Sequence, residues 1–201
     1  MTKVRNNPLL QGASGKLGNT IVYKNWQGQV LMTNMPSKRR FISDKQKAMK
    51  ERFREATHYA KCEMKDPESK AEYKKGITLN KNAAFRVAVS DFLNPPEVHY
   101  IKVPGYSGAI GEMIRIKATD DFKVIEVRVS IIDATGKVLE RGNASPSPRK
   151  RQLWRYITTV TNENVNGTVI KVTAYDKPRN EGKGELVIES ISASASGLPG
   201  S

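Results

Sequence analysis

Apolar positions along this chain follow two periods, and the change falls at Asn94-Pro95-Pro96. Upstream, Met49, Phe53, Ala56 and Ala60 recur at helical spacing with Lys, Arg and Glu between them. They follow Ser43-Asp44-Lys45-Gln46, a capping box in which the Ser43 hydroxyl can accept from the Gln46 amide. The pattern predicts a helix from residue 43 with Phe53 on its core face. Asp66-Pro67 reads as an N-cap followed by proline at the first helical position, with Gly76 as the C-terminal cap. A third helix is expected over residues 82–93, with Phe85, Ala88, Val89 and Phe92 on one face, stopped by the prolines. Ahead of these helices, residues 20–24 and 29–33 are β-prone runs around a glycine turn, a predicted hairpin. Residues 7–19, with Gly12, Gly15 and Gly18, predict an irregular, tightly turning arm.

Downstream the period is two. Seven strands are predicted, near 97–103, 112–118, 122–132, 137–141, 152–160, 168–175 and 184–191. Val127, Val129 and Ile131 alternate with Arg128 and Ser130, as a half-buried strand requires. Seven short strands in this length have the proportions of an immunoglobulin-like sandwich, without the Cys…Trp…Cys pattern of antibody domains. Residues 143–151 are expected as an exposed loop, and Ser192–Ser201 as a flexible Ser/Ala/Gly tail. The fold class is thus α+β, with an N-terminal β-hairpin and about three helices before a C-terminal immunoglobulin-like antiparallel β-sandwich. The expected divisions are 1–95, 96–191 and 192–201.

Charge sharpens the division. The formal net charge is +14, and residues 1–95 hold 19 Lys/Arg against 8 Asp/Glu. Residues 96–201 hold 15 against 12. An acidic partner should therefore meet the first half. A single cysteine, Cys62, excludes an internal disulfide. Neither an apolar signal segment nor a run of about 18 apolar residues is present, so the expectation is cytoplasmic synthesis and no membrane partner. A particle assembled there and later released fits equally.

Catalytic chemistry lacks its parts. Gly12-Ala-Ser-Gly15-Lys16-Leu17 is too short between its glycines for a phosphate loop. His58 and Cys62 share a helix spacing but supply two ligands where structural zinc wants four, and His99 lies in the other half. Asp120, Asp121, Asp133 and Asp176 lie near strand ends, where sandwich loops can gather calcium, but their spacing defines no ligand set. Solvated turn residues explain them. No enzyme, metal, cofactor or small-molecule substrate is expected.

Basic residues carry the functional expectation. Lys38, Arg39 and Arg40 lead into a helix bearing Lys45, Arg52 and Arg54, with Lys16 in the arm and Trp26 as an aromatic anchor. Such a surface suits an acidic protein surface or phosphates.

The order Ser14-Gly15-Lys16-Leu17-Gly18-Asn19, then Tyr23…Trp26…Gly28 and Pro36, resembles a family of uncharacterised bacterial proteins. The likeness continues through Ser43-x-x-Gln46, Glu51-Arg52-Phe53, Tyr59-Ala60, Asp66-Pro67 and Asp91-Phe92. Ile114 to Asp133 and Trp154 to Asp176 are similar to bacterial immunoglobulin-like modules. No activity comes with either resemblance; similar helices among proteins of phage or phage-like particles imply a structural role. The expected function is a non-enzymatic structural or adaptor component of an assembly, with other protein subunits as partners. The alternatives are a nucleic-acid-binding protein, and a carbohydrate or surface-binding module with exposed aromatics near 143–156.

Overall fold

A computed structural model describes residues 2–4, 8–10, 12–37, 42–148, 150 and 152–189. The chain forms two compact units, residues 1–47 and 48–201.

In the first unit, β1 (Thr2–Val4), β2 (Gly15–Leu17), β3 (Ile21–Trp26) and β4 (Gln29–Asn34) make one antiparallel sheet in the order β1-β4-β3-β2. The expected hairpin is β3–β4, closed by the pair Trp26–Gln29. Gln27 and Gly28 between them both have positive φ, 51° and 77°, as a two-residue primed turn requires. The arm is more regular than its glycines suggested. A 3-10 turn spans Pro8–Leu10, and β2 pairs with β3 from Gly15 to Leu17. Among the described residues of this sheet, Val30 and Leu31 are buried.

Helix α1 (Asp44–Glu63) begins where the capping box placed it, and the Gln46 amide donates to Ser43 Oγ at 3.3 Å. Helix α2 (Pro67–Lys74) follows Asp66, whose carboxylate accepts from the Ser69 amide at 2.9 Å. Helix α3 (Ala84–Leu93) ends at Asn94. Gly76 does not serve as a left-handed cap: a Cβ there would sit 2.7 Å from the Phe122 ring and 2.9 Å from Val87. It is a close-packing position. Ala60, Tyr73, Ala84, Val87 and Ala88 form the helical core, and Phe122 packs against it.

Strands β5 (Glu97–Lys102), β6 (Met113–Thr119), β7 (Glu126–Ile132), β8 (Val138–Asn143), β9 (Ser145–Pro146), β10 (Leu153–Ile157), β11 (Thr168–Tyr175) and β12 (Glu181–Ile188) follow. They form two four-stranded antiparallel sheets, β5-β6-β10-β9 and β12-β11-β7-β8. The alternation in β6 and β7 turns Ile114, Ile116, Val127, Val129 and Ile131 inward, onto one core with Ile170 and Val172 of β11. This is an α+β chain whose second part is a β-sandwich. The segment 143–151, expected as a loop, contributes β9 to an edge, with Pro146 opposite Trp154. Proline is tolerated there because an edge strand leaves one side unpaired.

The change of period at Pro95-Pro96 lies inside the larger unit. Polar bonds cross it: Lys123 and Lys177 each pair with Glu72 at 3.0 Å, and Asn180 Nδ2 donates to the backbone oxygens of Asp91 and Phe92. Among the described residues, no helix is long and apolar enough to cross a membrane.

Candidate functional site

Two surfaces of chemical interest emerge, one exposed on α1 and one buried beneath α3.

Met49, Phe53, Ala56 and Ala60 lie on one stripe of α1, but only the second half of the stripe is covered. Ala56 and Ala60 are fully buried, whereas Met49 is 63% and Phe53 54% exposed. The expectation of Phe53 in the core is therefore corrected: helical period gives the face and says nothing of how far the packing partner extends. Beside the bare half-stripe, Lys50, Phe53, Arg54, Thr57, His58 and Lys61 line a shallow groove. An exposed aromatic among cations is the composition of an interface anchor.

The expected binding residues are distributed over both units. Lys38, Arg39 and Arg40 lie outside the described residues. Lys16 is exposed on β2, and Trp26, 65% exposed, ends β3. Lys45 is exposed in the first turn of α1. Arg54 pairs with Glu51 one turn earlier, so part of its charge is spent locally. Arg52 has a structural task, donating to the backbone oxygen of Leu93 at 3.1 Å and so satisfying a carbonyl at the end of α3. Trp154 and Tyr156 are 5% and 6% exposed and belong to the sandwich core. The exposed aromatics that a carbohydrate-binding module predicts near 143–156 are thus not these two.

The buried site is a cluster of carboxylates. Asp91 of α3, Asp120 after β6 and Asp176 after β11 bring oxygens within 4.8 Å of one another. Each is placed by a local device. Asp91 Oδ2 accepts from the Tyr73 hydroxyl at 2.7 Å, and the Tyr73 and Tyr59 oxygens are 2.8 Å apart. Asp120 Oδ2 accepts from the amides of Phe122 and Lys123 at 2.9 and 2.8 Å, an Asx turn. Asp176 accepts from the Asn180 amide and Nδ2 at 2.6 and 2.7 Å, closing the β11–β12 turn.

Three ionised carboxylates at this spacing repel one another in a buried setting. Asp91 and Asp176 have no solvent exposure. Oδ1 of Asp91 and Oδ1 of Asp120 are buried without a hydrogen-bond partner. Burial, reinforced by Asp120 and Asp176, pushes Asp91 up to about 8, even though the Tyr73 hydrogen bond opposes the shift. Burial likewise raises Asp176. Nearby lysines serve other acids: Lys81 pairs with Asp121, and Lys177 with Glu63 and Glu72 while lying 4.7 Å over the Tyr73 ring. Of the four loop acids weighed for calcium, Asp120 and Asp176 meet here. Asp121 is taken by Lys81, and Asp133 accepts from Thr135 and Lys137 in its own turn. Asp91 was the ligand-type residue that sequence reasoning missed. Its signal is an acid on the stripe of Ala84, Val87 and Ala88, where an apolar residue belongs.

No family model and no curated protein matches the chain. The crystal structure of CopC from Methylosinus trichosporium OB3b is similar over 47% of this chain and 93% of that one, at 18% identity. Its TM-score is 0.34, too low to carry an argument about fold or function.

Proposed function

We propose that the protein is a non-enzymatic structural or adaptor component of a macromolecular assembly, docking through its basic N-terminal half onto an acidic protein surface. The observation that carries this reading is the uncovered half-stripe of α1, where Met49 and Phe53 stand exposed beside Lys50, Arg54 and Lys61. An apolar centre with cations around it suits a protein partner: the cations steer the encounter, and desolvation of Phe53 and Met49 supplies the affinity. A phosphate backbone would use the cations and leave the methionine without a task. Assembly of the phage or phage-like particle type rests on the sequence resemblance. We also infer an immunoglobulin-like sandwich. What supports it is the strand order, which maps onto A-B-E-D facing G-F-C-C′ of such domains.

The test compares the full-length protein with Met49→Ser/Phe53→Ser in native lysate of the source cells, fractionated by size. Migration in a high-mass complex that the double variant leaves, with the variant still folded, supports docking by α1. A wild-type protein that runs only as a monomer overturns the reading. So does steep, log-salt-dependent binding to a nucleic acid duplex with no protein complex.

A further inference from the structure

We infer that Asp91, Asp120 and Asp176 form a calcium site that fastens α3 to the two loops of the sandwich beneath it. The three carboxylates come from segments far apart in sequence, yet their oxygens lie within 4.8 Å of one another. That is the span one calcium ion bridges with Ca–O bonds of about 2.4 Å. Proximity alone would not make a site, since acidic residues gather on many surfaces. This group is different in its interior. Asp91 is fully buried, its Oδ1 has no partner, and Oδ1 of Asp120 is in the same position.

Buried charge is tolerated when it is paired or bound to metal. None of the described Lys or Arg side chains forms an ion pair with these three acids; Lys81, Lys123 and Lys177 are engaged by Asp121, Glu63 and Glu72. A cation at the centre would occupy both orphaned oxygens. The remaining carboxylate oxygens are already oriented by Tyr73, by the Phe122 and Lys123 amides and by Asn180. Such outer hydrogen bonds hold ligands in place before the ion arrives.

The donor set selects the ion. All-oxygen ligands favour a hard cation over zinc or copper. Magnesium demands a near-ideal octahedral shell with bonds of about 2.1 Å, whereas calcium accepts irregular carboxylate shells at about 2.4 Å. Access exists, because Asp120 also lines a cleft of about 710 Å³ that opens between the end of α2 and the edge of the sandwich.

The test uses chelator-treated full-length protein. Added Ca2+ at about 1 mM, a concentration that saturates sites of intermediate affinity, should raise the melting temperature. Tb3+ should give emission sensitised by Tyr73, which hydrogen-bonds Asp91, and Ca2+ should quench it by displacement. Asp91→Asn, close to isosteric, and Asp176→Asn should each weaken Ca2+ binding at least tenfold. Asp91→Asn keeps the test decisive if the β11–β12 turn does not tolerate the second change. Absence of both a melting shift and Tb3+ emission in wild type overturns the site. An undiminished Ca2+ response in Asp91→Asn overturns its location, and an equal response to Mg2+ overturns the choice of ion.

Discussion

Gly182→Ala should be among the most damaging small substitutions in the sandwich. Gly182 lies at the start of β12, beside the point where Pro96 leads into β5. A Cβ at position 182 would stand 1.9 Å from the Pro96 carbonyl oxygen, 2.6 Å from its carbon and 3.3 Å from the Glu97 nitrogen. Normal carbon–oxygen contacts are about 3.3–3.6 Å, so the two backbones would have to part by well over an ångström. Neither can move freely. Gly182 is held in the ladder opposite Ala174, Glu97 opposite Thr119, and Pro96 is buried with a fixed φ. Overpacking usually costs about 1–3 kcal/mol, and backbone against backbone belongs at or above the top of that range. For a unit of this size, about 3 kcal/mol lowers the melting temperature by roughly 6–12 °C. Gly184→Ala is the comparison: its Cβ would meet Cγ1 and Cβ of Val98, at 2.7 and 3.0 Å, so the crowding falls on a side chain rather than on the backbone of the facing strand. The assay is urea unfolding of the full chain, read from midpoints at constant m. A Gly182→Ala midpoint within about 0.5 kcal/mol of wild type, or a loss no greater than that of Gly184→Ala, would refute the close approach of β5 to β12.

Other expectations follow from the helix–sandwich junction. Tyr73→Phe removes the bond to Asp91 and the partner of Tyr59, and should cost about 1–3 kcal/mol by thermal melting, with the fold retained. In cation-free buffer the folded chain keeps a proton on Asp91 up to about pH 8, whereas the unfolded chain releases it near pH 4. The contribution of Asp91 is therefore fully present below about pH 4 and is lost as pH rises toward 8. Unfolding titrations at pH 5 and 7.5 should show the loss in wild type and a flatter profile in Asp91→Asn. Glu72 has the opposite sign: hydrogen bonds from Lys177 and Lys123 hold it below its usual range. Its contribution is lost as pH falls below about 4, and Glu72→Gln should shrink that acid limb. Met49→Ser/Phe53→Ser should leave stability within about 1 kcal/mol, because both residues are more than half exposed.

Much of the architecture was legible in the sequence because alternation and capping act locally. Val127, Val129 and Ile131 announce β7 by themselves, and Asp66-Pro67 announces α2 with its cap. What escaped depends on partners distant along the chain. Met49 and Phe53 obey the same period as Ala56 and Ala60, yet period cannot report that the cover stops at Ala56. β9 has only two residues, one of them proline, and exists because Trp154 and Arg155 lie alongside. Pro95-Pro96 marks a real change of secondary structure, but Phe122, Lys177 and Asn180 pack or bond back across it. The carboxylate cluster needed three separate segments to meet, and only Asp91, an acid on an apolar stripe, gave a local hint.

The bond from Asn180 to the backbone oxygens of Asp91 and Phe92 has a consequence for the order of events in folding. It joins positions 89 and 88 residues apart, and Asn180 is held by Asp176 in the final hairpin of the sandwich. Loops that long close late. The end of α3 should therefore be sealed only after β11 and β12 have paired, and amide exchange there should report the opening of that last hairpin rather than fraying of the helix itself.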